Sequence, residues 1–154
     1  MLEEIYELVR EIGKVKGAYL VSCFLNDTQW RIDYYSPQEH KMLTYFKQNG
    51  KLEHMKDEIF QKEQKAIQEL HLEKVKIHYL KALDKVTVSP DKVIIILQVI
   101  DGATVWNITV LTSEFKIYNL KVNAENGETI SEEEDNIMNY KKGGPSFKMN
   151  SASS

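Results

Sequence analysis

Trp30-Arg31-Ile32-Asp33-Tyr34 and Trp106-Asn107-Ile108-Thr109-Val110 are the two stretches on which the fold turns. Each alternates apolar and polar residues with a period of two, the pattern of a β-strand with one face against a core. They hold both tryptophans of the chain. A β-rich apolar run precedes each, Ala18 to Leu25 and Lys92 to Ile100, and a turn signal separates run from strand, Asn26-Asp27 in one case and Asp101-Gly102 in the other. A further strand follows each: Lys41 to Lys47 after Ser36-Pro37-Gln38-Glu39, and Phe115 to Val122 after Thr112-Ser113-Glu114. Asn49-Gly50 and Asn126-Gly127 close the two meanders, and Glu128-Thr129-Ile130 can add a short last strand.

Helical patterns flank these strands. Leu2, Ile5, Val9 and Ile12 form an apolar stripe between acidic and basic residues, predicting a helix over 2–12 that stops at Gly13. From about Glu53 to Val86 two stripes out of phase predict two helices or one bent helix, the cleaner stripe being Leu72, Val75, Tyr79, Ala82, Leu83 and Val86. Ser89-Pro90-Asp91 ends that region. Residues 132–140 read as a short acidic helix, and 141–154, KKGGPSFKMNSASS, as a disordered tail.

Leu2 and Leu72 with their stripes correspond at an offset of 70, Trp30 and Trp106 at 76, and Gly50 and Gly127 at 77, so the offset changes only in connections. Insertions confined to loops are what an internal duplication produces. The expected fold is therefore α+β: two repeats of a helix plus a three-stranded antiparallel meander, joined by a helical linker. The boundaries are 1–52 for the first unit, 53–71 for the linker, 72–140 for the second unit and 141–154 for the tail. Units this small are marginal alone, so they are expected to share a core.

The stretch Val105 to Val110, followed by Phe115 to Ile130 with its closing Val122-Asn123-Ala124-Glu125-Asn126-Gly127-Glu128-Thr129-Ile130, resembles the PepSY domain family. That family closes its unit with a V-D-A-x-T-G-x-V pattern; here Asn123 stands at the Asp position and Asn126 at the Thr position. The resemblance covers about residues 72–131 and, more weakly, 2–53. It implies a helix packed on an antiparallel sheet and a role in binding or restraining other proteins.

Composition is that of a globular chain, 42% hydrophobic and 28% charged, and a net charge of −3 speaks against a general nucleic-acid binder. The acidic N-terminus does not read as a signal peptide, and no apolar run is long enough to span a bilayer, so a soluble cytoplasmic chain without membrane contact is expected. Cys23 lies in an apolar run and reads as a buried thiol. His40, His54, His71 and His78 do not cluster at ligand spacing, and no phosphate loop or nucleophile elbow is present. No catalytic residue, metal or cofactor is expected. The leading expectation is a non-enzymatic protein-interaction module, with a protein partner or a homodimer as its complex and Tyr19, Tyr35, Ile95 and Leu97 as candidate contact residues. The alternative is a small-ligand binder of cystatin- or NTF2-like type with an apolar pocket lined by Trp30, Tyr34, Trp106 and Tyr118.

Overall fold

Phe24 opposite Ile96 and Cys23 opposite Leu97 mark the seam of the molecule, an antiparallel pairing between two strands more than 70 residues apart. The computed structural model describes residues 2–26, 28–59 and 67–136. Its elements are α1 (Glu3–Ile12), β1 (Tyr19–Asn26), β2 (Gln29–Ser36), β3 (Lys41–Gln48), β4 (Lys51–Glu58), a 3-10 turn (Leu72–Lys74), α2 (Tyr79–Leu83), β5 (Pro90–Ile100), β6 (Ala103–Thr112), β7 (Lys116–Asn123) and β8 (Thr129–Asn136). The eight strands form one antiparallel sheet in the order β4-β3-β2-β1-β5-β6-β7-β8, so two four-stranded meanders run outward from the central β1–β5 pair.

This overturns the expected fold class. Strand makes up 54% and helix 14% of the described residues, so the chain is not two repeats of a helix plus a three-stranded meander. Nor is the described part of the expected linker, 53–71, helical: Glu53 to Glu58 belong to β4, and Ile67 to Leu70 run without regular structure, while 60–66 lie outside the described residues. Asn49 and Gly50 both have positive φ, 53° and 78°, the geometry of a tight type I′ hairpin, and such a turn delivers the chain into another strand. β4 carries charge at most of its positions and is largely exposed, as suits an edge that must not pair with a neighbour. The other edge, β8, is equally polar. Residues 132–136 belong to it, where an acidic helix was expected, and 137–140 and the tail 141–154 lie outside the described residues.

The clean stripe from Leu72 to Val86 is helical only in part. Leu72, Val75 and Ala82 are buried as the stripe requires. Between them, however, the N–H groups of Lys76 and Ile77 both donate to the Ala124 carbonyl at 2.9 Å, which ties the backbone to the end of β7 and leaves it extended there. α2 then starts at His78, whose Nδ1 accepts from the Leu80 N–H at 3.0 Å as a helix cap.

Both helices cover the same side of the sheet. Cross-strand partners share a face, and the register places Trp30, Ile32 and Tyr34 of β2, Cys23 of β1, Ile95 and Leu97 of β5, Trp106, Ile108 and Val110 of β6 and Leu120 and Val122 of β7 on that side. These residues form one continuous buried cluster with Ile5 and Leu8 of α1 and Ala82 of α2. Tyr79 stands between the two tryptophans, its ring edge-on to Trp30 at 5.7 Å and to Trp106 at 5.8 Å. One core therefore serves the whole described chain.

Candidate functional site

The side of the sheet away from the helices carries no helix or strand among the described residues; Ile67 and Gln68 meet one end of it, at Tyr19 and Gly102, where Val105 and Tyr35 are buried. Its surface is set by the other parity of each strand. Phe24 and Ile96 are cross-strand neighbours at its centre. Ile94 lies beside them on β5, Leu111 and Ile117 pair on β6 and β7, and Phe46 lies on β3 under the Arg31 guanidinium at 5.0 Å. All of these are half-buried. An antiparallel sheet with one wet face normally alternates apolar and polar residues. β5 does not: Val93, Ile95, Leu97 and Val99 point to the core, and Ile94, Ile96 and Ile100 point the other way.

Polar side chains cross this face in ordered rows. The Ser22 hydroxyl donates to Asp33 Oδ2 at 2.7 Å and the Thr44 hydroxyl to Asp33 Oδ1 at 2.6 Å, so both carboxylate oxygens are occupied. On the other half, Asn107 Nδ2 donates to Gln98 Oε1 at 2.9 Å, Asn119 Nδ2 to Asn107 Oδ1 at 2.7 Å, and Lys121 Nζ to Asn119 Oδ1 at 3.0 Å. Burial pulls the Lys121 ammonium below the usual lysine range, and Glu133 opposes that shift. The rows are satisfied internally, which makes the face rigid and leaves its apolar patches as the part that gains from contact.

The expected contact residues fall differently. Ile95 and Leu97 are core residues, 3% and 0% exposed, and are corrected here: the neighbours Ile94 and Ile96 face outward. A run apolar at every position carries no phase, but pairing of Leu97 with Trp106 puts it on the tryptophan side. Tyr35 is on the open side, as its parity against Tyr34 requires, yet it is only 9% exposed and is not the exposed aromatic that was expected. Tyr19 meets it edge-on at 5.7 Å, and the Tyr35 hydroxyl bonds His40 Nδ1 at 2.7 Å. Tyr19 is itself tied down, donating to the Ile67 carbonyl. The expected pocket lining supplies core volume: Trp106 is fully buried, Tyr34 is 6% and Tyr118 is 5% exposed. Trp30 alone also borders open clefts beside α1.

Burial drives the Cys23 thiol far above the ordinary range. His54 stacks on Tyr45, and His71 approaches Glu73 at 3.6 Å. No group of three His, Cys, Asp or Glu side chains able to hold a metal ion occurs among the described residues.

Burial, with Cys23 and Tyr45 adding to it, pushes the Tyr34 phenol up to about 12. The native state thus holds this proton more tightly than the unfolded chain, whose tyrosines ionise near pH ~10. The stability involved is complete below that pH and is lost as pH rises toward about 12. In a tyrosinate absorbance titration, at least one tyrosine should ionise after the exposed ones and together with the loss of near-ultraviolet circular dichroism, with Tyr34 last because its shift is large. Ionisation of all the tyrosines in one early step, with the fold intact, would contradict this burial.

No family model matches the chain, and no curated protein matches it either. The PepSY resemblance is neither supported nor refuted by these comparisons. Among solved structures, a crystal structure named as that of a "putative lipoprotein" from Clostridium difficile 630 is similar, with a TM-score of 0.61 and 13% sequence identity over 86% of this chain and 91% of that one. At that identity the likeness concerns the fold alone. No helix among the described residues is long and apolar enough to cross a membrane.

Proposed function

We propose that this protein is a non-enzymatic interaction module that associates through the open face of its sheet, with a second copy of the chain as the partner. The observation that carries this reading is β5, apolar on both sides while helices cover only one. A half-apolar sheet face is well complemented by another, since sheets pack face to face about 10 Å apart with interleaved side chains. Area is sufficient. Eight strands about 4.8 Å apart and about eight residues long present roughly 900 Å² of face, against about 800 Å² per partner in a standard stable interface.

The test is the double variant Phe24→Lys, Ile96→Lys. Both positions are half-buried and outside the core cluster, so circular dichroism and thermal unfolding should show a folded chain. Sedimentation at roughly 100 µM, where micromolar self-association is nearly complete, should give a dimer for the parent chain and a monomer for the variant. A parent chain that sediments as a monomer, or a variant that still dimerises, defeats the proposal.

A further inference from the structure

A separate feature lies on the helix side, at the end of the sheet where β1 turns into β2. Glu4, Glu7 and Glu11 stand at i, i+3 and i+7 on one side of α1 and are all exposed. They form the wall of a cleft of about 460 Å³ whose floor is Leu8 and Trp30 and whose far side carries Lys47. Lys47 neutralises only Glu11, at 2.8 Å. Glu4 and Glu7 have no cationic partner among the described residues.

The second, independent observation is the indole of Trp30. The side chain is 94% withdrawn from solvent, at 6% exposure. The Trp106 indole N–H donates to the Ile77 carbonyl at 2.7 Å, whereas the Trp30 N–H has no acceptor among the described residues. Nor is it one of the fully buried unsatisfied atoms, so it remains reachable, and Trp30 is a border of this cleft. A donor on an otherwise buried ring, given no acceptor by the protein, can take one from a ligand in place of the water that reaches it. Glu4 and Trp30 also border an adjoining cleft of about 260 Å³ whose other side is Tyr79, His78 and exposed Leu80. The two clefts meet at Glu4 and Trp30 and together make a groove, with Glu4, Glu7 and Glu11 along one end and a mixed lining at the other, where Leu2, Tyr79 and Leu80 stand beside Glu3 and His78.

We infer that this groove binds a cationic peptide segment: a lysine or arginine side chain against Glu4 and Glu7, a backbone carbonyl on the Trp30 N–H, and an apolar side chain beside Tyr79 and Leu80. A simple amine satisfies only the carboxylates, and an anionic ligand meets their repulsion. A peptide supplies all three chemistries within the length of a few residues. Long-range attraction by the carboxylates speeds encounter, and the single indole donor fixes register.

The experiment uses the full chain, with ¹⁵N labelling, titrated with the acetylated and amidated peptide of sequence KKALK and with the same peptide lysine-acetylated. Expected is a saturable movement of the Trp30 indole resonance with the Trp106 indole unmoved, and no response to the lysine-acetylated peptide. Glu4→Lys combined with Glu7→Lys should weaken binding roughly tenfold or more, because two attractive charges become repulsive. Trp30→Phe, which keeps the ring and removes the donor, should weaken it about threefold to tenfold. The control is Glu132→Gln with Glu134→Gln on the acidic edge strand β8. If that variant loses as much affinity as the α1 variant, or if the lysine-acetylated peptide binds equally, or if Trp30 stays silent while β8 resonances move, the groove is not the site and the inference falls.

Discussion

Replacing Trp106 by alanine is expected to cost about 3–5 kcal/mol, the largest single effect in the molecule. The indole is fully buried at the centre of the helix-side core. Its cross-strand neighbours, Leu97 and Val122, are also fully buried, so no solvent-facing atoms can move in to fill the space. Truncation removes a large apolar surface, opens a cavity, and takes the ring away from Tyr79, which it meets at 5.8 Å. It also removes the donor that satisfies the Ile77 carbonyl, in the segment where the chain approaches Ala124 and enters α2. In a chain of this length each kcal/mol moves the melting temperature by about 3 °C, so a drop of roughly 9–15 °C should appear in thermal unfolding. Trp106→Phe separates the contributions: it keeps much of the volume and loses the hydrogen bond, and about 1–2 kcal/mol should be lost. An alanine variant within about 1 kcal/mol of the parent would mean that the ring is not in a packed core.

The second large effect is at Leu97. Leu97→Ala should cost about 2–5 kcal/mol, while Ile96→Ala, one residue earlier, should cost about 1 kcal/mol. The contrast is the point. Both are aliphatic residues in the same central strand, and they differ only in face: Leu97 is fully buried under the helices and Ile96 is half-buried on the open side. Leu97 also faces Cys23 across the seam that joins the halves, so its loss weakens the β1–β5 pairing itself. Urea unfolding of both variants at dilute protein concentration, where self-association does not contribute, gives the two numbers side by side. Equal losses would place both faces of β5 in a core, and larger loss at Ile96 would invert the sheet.

Much of the strand layout is legible from residues alone. Trp30-x-Ile32-x-Tyr34 and Trp106-x-Ile108-x-Val110 lie on one face of β2 and β6, as strict alternation requires. Asp101-Gly102 is a tight hairpin because Asp101 and Gly102 adopt φ of 49° and 82°, a geometry that aspartate tolerates and glycine favours. The helix over Glu3–Ile12 ends at Gly13 as expected, although its buried residues are Ile5 and Leu8. The edge strand β4 is not legible in this way, and of β8 only the start at Thr129-Ile130 is. An edge strand protects itself with charge, so it loses the apolar alternation that would reveal it. Most of KLEHMKDE and the EEEDN end of β8 look like solvated helix for that reason.

The candidate sites divide along the same line. The open sheet face follows from the run Val93 to Leu97 in β5, apolar at every position, but the outward residues of that run are Ile94 and Ile96 and not the expected Ile95 and Leu97. The groove beside α1 was missed altogether. Its one sequence signal is Glu4, Glu7 and Glu11 on one side of the helix, which is indistinguishable from an ordinary wet face until Trp30 is seen beneath it.

What the sequence alone determined is local: which inner segments, β1 to β3 and β5 to β7, are strands, where the tight turns beside them fall, and that each tryptophan strand turns one face to a core. These depend on contacts within a few residues and on the period of the side chains. What only the tertiary structure decided is how the halves meet and which faces are left bare. The β1–β5 pairing joins residues far apart in the chain, and a strand apolar on both sides is equally content either way up. Only the positions of α1, α2 and the two tryptophans break that degeneracy, and they do so by covering one face of β5 and leaving the other half exposed.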